Sequence, residues 1–174
     1  ERCDEMRKTG YEIPKIAFKP KKLSDVANLF KEGSQMTQYE HILCAMGAEG
    51  LPSRILSSFT NSYLTYVSPE ELLSNTSDIG HIDPGTLTSL YNFRSISQKT
   101  RIFGITGWPL YKVSGPEIHN SGFKRAGIDA VFIPIRSQLA SEALVFAEQV
   151  GIEGLAITNP HKESIMYYLN EQTP

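Results

Sequence analysis

Four side chains in this sequence have the type and setting for chemistry on a carbonyl or a carboxylate: Lys15, Arg54, Thr158 and Lys162. Lys15 lies in IPKIAFKP, a short run bounded by Pro14 and Pro20 that reads as a strand. The two-residue period of a strand puts Lys15 and Ala17 on one face, with Ile16 and Phe18 on the other. If the lysine face lines a barrel interior, the ammonium is partly desolvated and yields more readily to the neutral amine. A neutral amine attacks a ketone and forms an imine, which makes such a lysine a Schiff-base candidate. The other reading is a strand-end lysine reaching solvent, as expected for Lys19, Lys21 and Lys22. Spacing alone leaves both standing.

Arg54 follows the glycine loop of AMGAEGLPSRIL and opens a short helix. Glycines allow a tight path at a strand's C-terminal end, where barrel active sites sit. A guanidinium there clamps a carboxylate through two parallel hydrogen bonds; alternatively, it bridges a surface acid at a helix start. In GLAITNPHKE a strand gives way to Thr158, then to Lys162 at the start of a helix. Strand-to-helix turns are common ligand positions in open α/β sheets, and helix starts favour negative charge. A lysine held there donates a proton to a developing alkoxide, or it is a basic residue without catalytic duty.

The elements that must position these groups alternate between strand and helix. In the first half the strands are EIPKIAF, HILCAM and SYLTYV. Between them come an amphipathic helix with Val26, Leu29 and Phe30 on one side and Ser24 as N-cap, then a short helix over SRILSSF. The turn-rich stretch SPEELLSNTSDIGHIDPG follows, and PGTLTSLYNF reads as the closing helix. The pattern restarts after a polar stretch around Ser95 to Thr100. RIFGITG, DAVFIPI and GLAIT are strands. PEIHNSGFKRAG, with Pro116 in its first turn and Gly127 ending it, and SQLASEALVFAEQVG are helices, and NPHKESIMYYL opens a last one. Two α/β units are expected, residues 1–97 and 98–174. A complete (β/α)8 barrel takes about 250 residues and the first unit offers three strands, while the second shows three strands and no glycine-rich dinucleotide fingerprint, so both read as incomplete.

Composition narrows the function classes. Seventeen basic against nineteen acidic residues give a net charge of −2, without the basic excess of a nucleic-acid binder. No apolar run reaches the roughly 20 residues that span a bilayer, and the first residues carry no signal-peptide core. Cys3 and Cys44 are far apart with no histidine spaced for a metal, so unpaired thiols and no metal site are expected. The charge balance leaves room for small anionic substrates, and unpaired thiols suit a reducing compartment.

Two family resemblances sharpen these readings. IPKIAFKP, MGAEGLPSRIL, SYLTY and a PG before a helix, over residues 10 to 93, resemble the last third of type I dehydroquinate dehydratases. The resemblance implies that the first unit is the C-terminal part of a (β/α)8 barrel working without a cofactor. It implies that Lys15 forms the imine and Arg54 binds the substrate carboxylate. The family loop S-A-P-G-Q, which closes over substrate, is replaced by Ile82-Asp83-Pro84-Gly85-Thr86. The family's general-base histidine has no match in this segment, and His41 and His81 read as surface or loop residues. Tyr66, on the strand after Arg54, is placed to border the pocket.

FGITGWPLYKVSGPEIHNSGFKRAGIDAVFIPI with GLAITNPHKE, over residues 100 to 168, resembles the N-terminal α/β substrate domain of shikimate dehydrogenases. That resemblance makes Lys162 catalytic and Thr158 a substrate ligand. It also implies NADP as cofactor, bound by a domain outside this sequence. The family's S-x-S-P becomes Val113-Ser114-Gly115-Pro116, which removes two hydroxyls from the carboxylate site. At about 0.5–1.5 kcal/mol per neutral hydrogen bond, affinity falls more than tenfold. His119 and Asn120 read as packing and local hydrogen-bonding residues; Trp108, Tyr63, Tyr167 and Tyr168 read as core or rim. The two segments in tandem resemble fusions that dehydrate 3-dehydroquinate and reduce the product, with the rest of a longer polypeptide as partner. The rival reading, motivated by both altered loops, is a non-catalytic or single-activity descendant that senses a pathway intermediate.

Overall fold

The computed structural model describes residues 2–10, 13–73, 80–110 and 113–171. Glu12, part of the turn-rich stretch after Leu73, and two residues of the loop following Leu110 lie outside the described residues. The chain forms an α/β fold with two all-parallel sheets. The first pairs β1 (Lys15–Phe18) with β2 (Ile42–Ala45) in the register Lys15 opposite Ile42. The second has β3 (Arg101–Gly107) between β4 (Ala130–Arg136) and β5 (Ile152–Ile157). Parallel strands need long crossovers, and helices supply them. α1 (Arg2–Met6) precedes β1, and α2 (Leu23–Gln35) joins β1 to β2. α3 (Leu51–Ile55) follows β2. α4 (Gly115–Ala126) joins β3 to β4, α5 (Ala140–Val150) joins β4 to β5, and α6 (His161–Ser164) follows β5.

α2 buries Val26, Leu29 and Phe30 as its periodicity predicts. Its start differs: the helix begins at Leu23, and Asp25 rather than Ser24 caps it. The Asp25 carboxylate accepts the main-chain N–H of Lys21 at 2.8 Å and of Lys22 at 3.2 Å. A first-turn carboxylate takes the exposed donors just before the helix and complements the helix dipole, which a serine hydroxyl does less strongly.

The expected third strand over 62–67 is absent, leaving a single bridge between His41 and Ser62. The reason lies on the far edge of β2. The N–H groups of Ile42 and Met46 point to β1, at the carbonyls of Pro14 and Phe18. Those of Leu43 and Ala45 point away and are taken by the hydroxyls of Ser62, at 3.1 Å, and Ser53, at 3.0 Å. Side chains thus occupy the donors that a strand ladder would use.

Hydroxyls also shorten two expected helices. In the stretch 84–93, Thr88 and Ser89 donate back to the carbonyls of Pro84 and Gly85, and Thr86–Leu90 winds as a looser π turn. After β5, Ser164 donates back to the His161 carbonyl. α6 ends there, and Ile165–Tyr168 continues as a 3-10 turn.

The second sheet follows its reading closely. The Asn120 amide bonds both main-chain groups of Phe132, at 2.7 and 2.9 Å, while His119 stacks on the Phe132 ring at 4.2 Å. Packing and local hydrogen bonding are therefore what these two residues do. Tyr63, Tyr167 and Tyr168 are exposed and Trp108 is half-buried, so none of the four is a core residue. Leu139, inside the helix expected over SQLASEALVFAEQVG, precedes α5 and is exposed.

The two units also bury their apolar faces against each other. α2 packs on α5: Phe30 meets Phe146 edge-to-face at 5.9 Å, and the Glu142 carboxylate accepts the Leu23 N–H at 3.2 Å. Phe146 is completely buried. Its truncation to alanine is expected to cost about 3–5 kcal/mol in urea unfolding. Val145→Ala, on the exposed side of α5, should change stability by no more than about 0.5 kcal/mol.

Candidate active site

Lys15 stands at the first residue of β1, on the open face of a two-stranded sheet, and is exposed. The expected desolvation inside a closed barrel is thus not met by the described residues, because no third strand covers that face. Its ammonium instead sits over the Tyr66 ring, with Nζ 4.0 Å from the centroid. Such a contact places a cation against the negative face of the ring.

Arg54 is in the last turn of α3 and is 1% exposed, which rules out the surface-acid reading. Its Nη1 donates to the Tyr66 carbonyl at 3.3 Å. Burial lowers its affinity for a proton, and the nearby Cys44 thiol acts the other way. Burial likewise pushes the Cys44 thiol up against the pull of Arg54 and then Lys15. Cys44 therefore lies within the influence of both cations, and Tyr66 touches both. The structure brings together the two residues that the sequence singled out, with Tyr66 between them.

Sequence reasoning set aside a neighbour of this group. His81 is half-buried, and its Nδ1 hydrogen-bonds the buried Ser68 hydroxyl. Burial, then the Arg54 charge, holds its pKa below the usual 6.5. A close backbone approach delivers it: Gly80 has φ +67° and lies so near Gly47 that a side chain would overlap the Gly47 carbonyl. The tight G-x-x-G loop after β2 and the glycine before His81 were the available signal. His41 is also no surface residue. It is fully buried, with ring nitrogens 3.1 and 2.8 Å from the Tyr39 and Thr60 carbonyls, and it serves the fold. Cys3 and Cys44 are both free thiols.

In the altered loop, the Asp83 carboxylate accepts the Thr86 N–H at 2.7 Å and is held below the usual carboxylate range by its hydrogen bonds with Thr86. Asp83 thus caps the turn that follows it. A cleft of about 880 Å³ separates the two units, and both altered loops line it, through Ile82 and Thr86 on one side and Val113 and Ser114 on the other. None of Lys15, Arg54, Thr158 and Lys162 lines that cleft.

Thr158 follows β5, where its N–H donates to the Thr106 carbonyl at 2.9 Å and its own carbonyl accepts the His161 N–H at 3.0 Å. Gly107 makes room for it, since a side chain there would overlap the Thr158 methyl. Lys162 is exposed one residue beyond His161. His161 is buried and its Nε2–H donates to the Ser137 carbonyl at 2.8 Å, fixing α6 against the end of β4. Thr158 and Lys162 thus share one turn. α6 has only four residues, so the helix-start charge expected there is small.

Residues 1–98 match the family model described as Type I 3-dehydroquinase. The chain belongs to that family. Residues 105–174 match the shikimate dehydrogenase substrate binding domain. Along its length the chain is 32% identical over 169 residues to a bifunctional 3-dehydroquinate dehydratase/shikimate dehydrogenase, chloroplastic, of Arabidopsis thaliana, covering 97% of this chain and 28% of that protein. It is 27% identical to the shikimate biosynthesis protein AroDE of Chlamydia pneumoniae, covering 96% and 35%. The chain therefore spans 28% and 35% of the length of these two relatives. Among solved structures, the dehydroquinate dehydratase and shikimate dehydrogenase from S. pombe aligns over 98% of this chain and 32% of that one, with 21% identity and a TM-score of 0.42. A shikimate dehydrogenase in complex with NADP+ aligns over 45% and 28%, with 33% identity and a TM-score of 0.42.

The His81 environment makes a prediction with a definite sign. Its folded pKa lies below 6.5. Between the folded and unfolded midpoints the unfolded chain binds more protons, so stability falls as pH drops below about 6.5. An NMR titration of the His81 ring should give a midpoint under 6.5, rising when Arg54→Gln removes the neighbouring charge. A midpoint at or above 6.5 in the native chain would contradict this geometry.

Proposed function

We propose that this chain is the junction of a longer two-enzyme polypeptide of the shikimate pathway, with residues 1–97 from the dehydratase and residues 98–174 from the dehydrogenase. Its first activity is loss of water from 3-dehydroquinate, and its second is reduction of 3-dehydroshikimate to shikimate. The observation that carries the dehydratase half is the convergence of Lys15 and the buried Arg54 on Tyr66. An amine and a guanidinium held side by side suit a small keto acid, which presents a ketone to one and a carboxylate to the other.

In this reading β1 and β2 are consecutive strands of a (β/α)8 barrel; Arg54 follows β2, and Tyr66 offers its carbonyl to Arg54 and its ring to Lys15 at the start of β1. Arg54 holds the carboxylate, whose charge also relieves repulsion between the two cations. Lys15 gives up a proton and adds to the ketone carbon through its neutral amine, and the carbinolamine hydroxyl takes up a proton and leaves as water, which leaves a protonated imine. That cation withdraws electrons from the adjacent carbon, so a base elsewhere in the polypeptide removes a proton and hydroxide departs as water. His81, neutral beside Arg54, borders the same site.

For the second half, Thr158 contacts a substrate hydroxyl and Lys162 delivers a proton to the reduced carbonyl oxygen. NADPH, when bound, supplies the hydride. The residues of this chain do not form its site: the sequence contains no G-x-G turn at a helix start. Thr158 and Lys162 accordingly act on the substrate and not on the cofactor. The substrates are small molecules, and no helix among the described residues is long and apolar enough to cross a membrane.

The full-length polypeptide and its Lys15→Ala variant should be incubated with 3-dehydroquinate and borohydride and weighed by mass spectrometry. A covalent adduct present in the first and lost in the second is expected. Absence of adduct from a folded full-length protein would move the sensor reading ahead.

A further inference from the structure

We infer that Tyr66 is the spacer of the dehydratase site, setting the position of the lysine nitrogen relative to the carboxylate clamp. The inference rests on the dehydratase reading above. Tyr66 makes two contacts of different kinds. Its ring face seats the Lys15 Nζ at 4.0 Å, and its main-chain carbonyl accepts from Arg54 Nη1 at 3.3 Å. Lys15 is on an exposed strand end with four rotatable bonds, and no salt bridge among the described residues holds it. The ring is the group that gives its nitrogen one position.

The consequence is geometric. A keto acid reaches both groups only if its ketone and carboxylate are separated by the span that Tyr66 imposes. Arg54 fixes the carboxylate, and the ring fixes where the amine waits. Imine formation adds the nitrogen lone pair to the ketone carbon, breaks the carbinolamine C–O bond as the hydroxyl takes up a proton and leaves as water, and leaves one N–H and a positive charge on nitrogen. The resting ammonium gives up a proton to attack and the nitrogen is cationic again as the protonated imine, so the same ring face accommodates the cation at the start and the end of the step. Tyr66 is on this account a positioning residue that sets spacing rather than overall affinity.

Its two contacts separate on mutation. A side-chain change removes the ring and leaves the carbonyl on Arg54. Tyr66→Leu in the full-length polypeptide should therefore lower kcat for 3-dehydroquinate, and the rate of borohydride trapping, by about 10- to 100-fold, with KM within about twofold of native. Tyr66→Phe keeps the ring face and should restore most of the lost rate. Circular dichroism melting identifies a leucine variant that fails to fold, and the phenylalanine rescue then decides. Tyr66→Leu with kcat within twofold of native would overturn the inference. So would Tyr66→Phe losing as much rate as Tyr66→Leu, because the hydroxyl would then be the active group. A rise in KM with kcat unchanged would also overturn it, by assigning the ring to substrate binding. Failure of the underlying reading looks different: Lys15→Ala would still form the adduct, whatever Tyr66 does.

Discussion

A guanidinium removed almost completely from water is the constraint on which the first unit depends. Arg54 is 1% exposed, and burying such a charge is tolerated only where acceptors and counter-charges meet it. The Tyr66 carbonyl is one of the groups that meet it, which ties the segment after Ser62 to α3. Once that segment is in place, the Tyr66 ring lies under Lys15, and Ser68 meets His81. One buried cation thereby organises a group of side chains from β1, β2, α3 and two loops.

The second constraint is apolar. α2 belongs to the unit that carries Lys15 and α5 to the unit that carries Thr158, yet Phe30 and Phe146 share one core. The two sheets are thus set against each other by packing, and the cleft between them is bordered by both loops that depart from the family patterns. Asp83 illustrates what one departure does locally. Its carboxylate ties down the Thr86 N–H, so the loop is braced by its own chain where the family pattern has side chains that close over substrate.

Much of this was legible in the residues. β1, β2 and all three strands of the second sheet lie where apolar alternation and short buried runs place them, because burial of those faces is itself the cause of the strands. The proximity of Lys15 and Arg54 followed from motif resemblance. What stayed hidden was decided by long-range polar contacts. Ser53 and Ser62 took the edge donors of β2, so a segment with good strand composition did not become a strand. His41 looked like a loop residue because nothing local foretells that the Thr60 carbonyl will cover it. Ser68 and His81 are separated along the chain by the turn-rich stretch; the bond of Arg54 to the Tyr66 carbonyl holds one and the close approach of Gly80 to Gly47 delivers the other. The packing of α2 on α5 was equally invisible, since an amphipathic helix announces that it has an apolar face but not what will cover it.

The central claim is that one keto acid bridges Lys15 and Arg54, and a crystal structure of the borohydride-reduced adduct in the full-length polypeptide tests it most directly. The account predicts continuous electron density from Lys15 Nζ to the former ketone carbon, with the carboxylate paired to the Arg54 guanidinium and the new nitrogen link against the Tyr66 ring. Density on a different lysine, or a carboxylate turned away from Arg54, would contradict it.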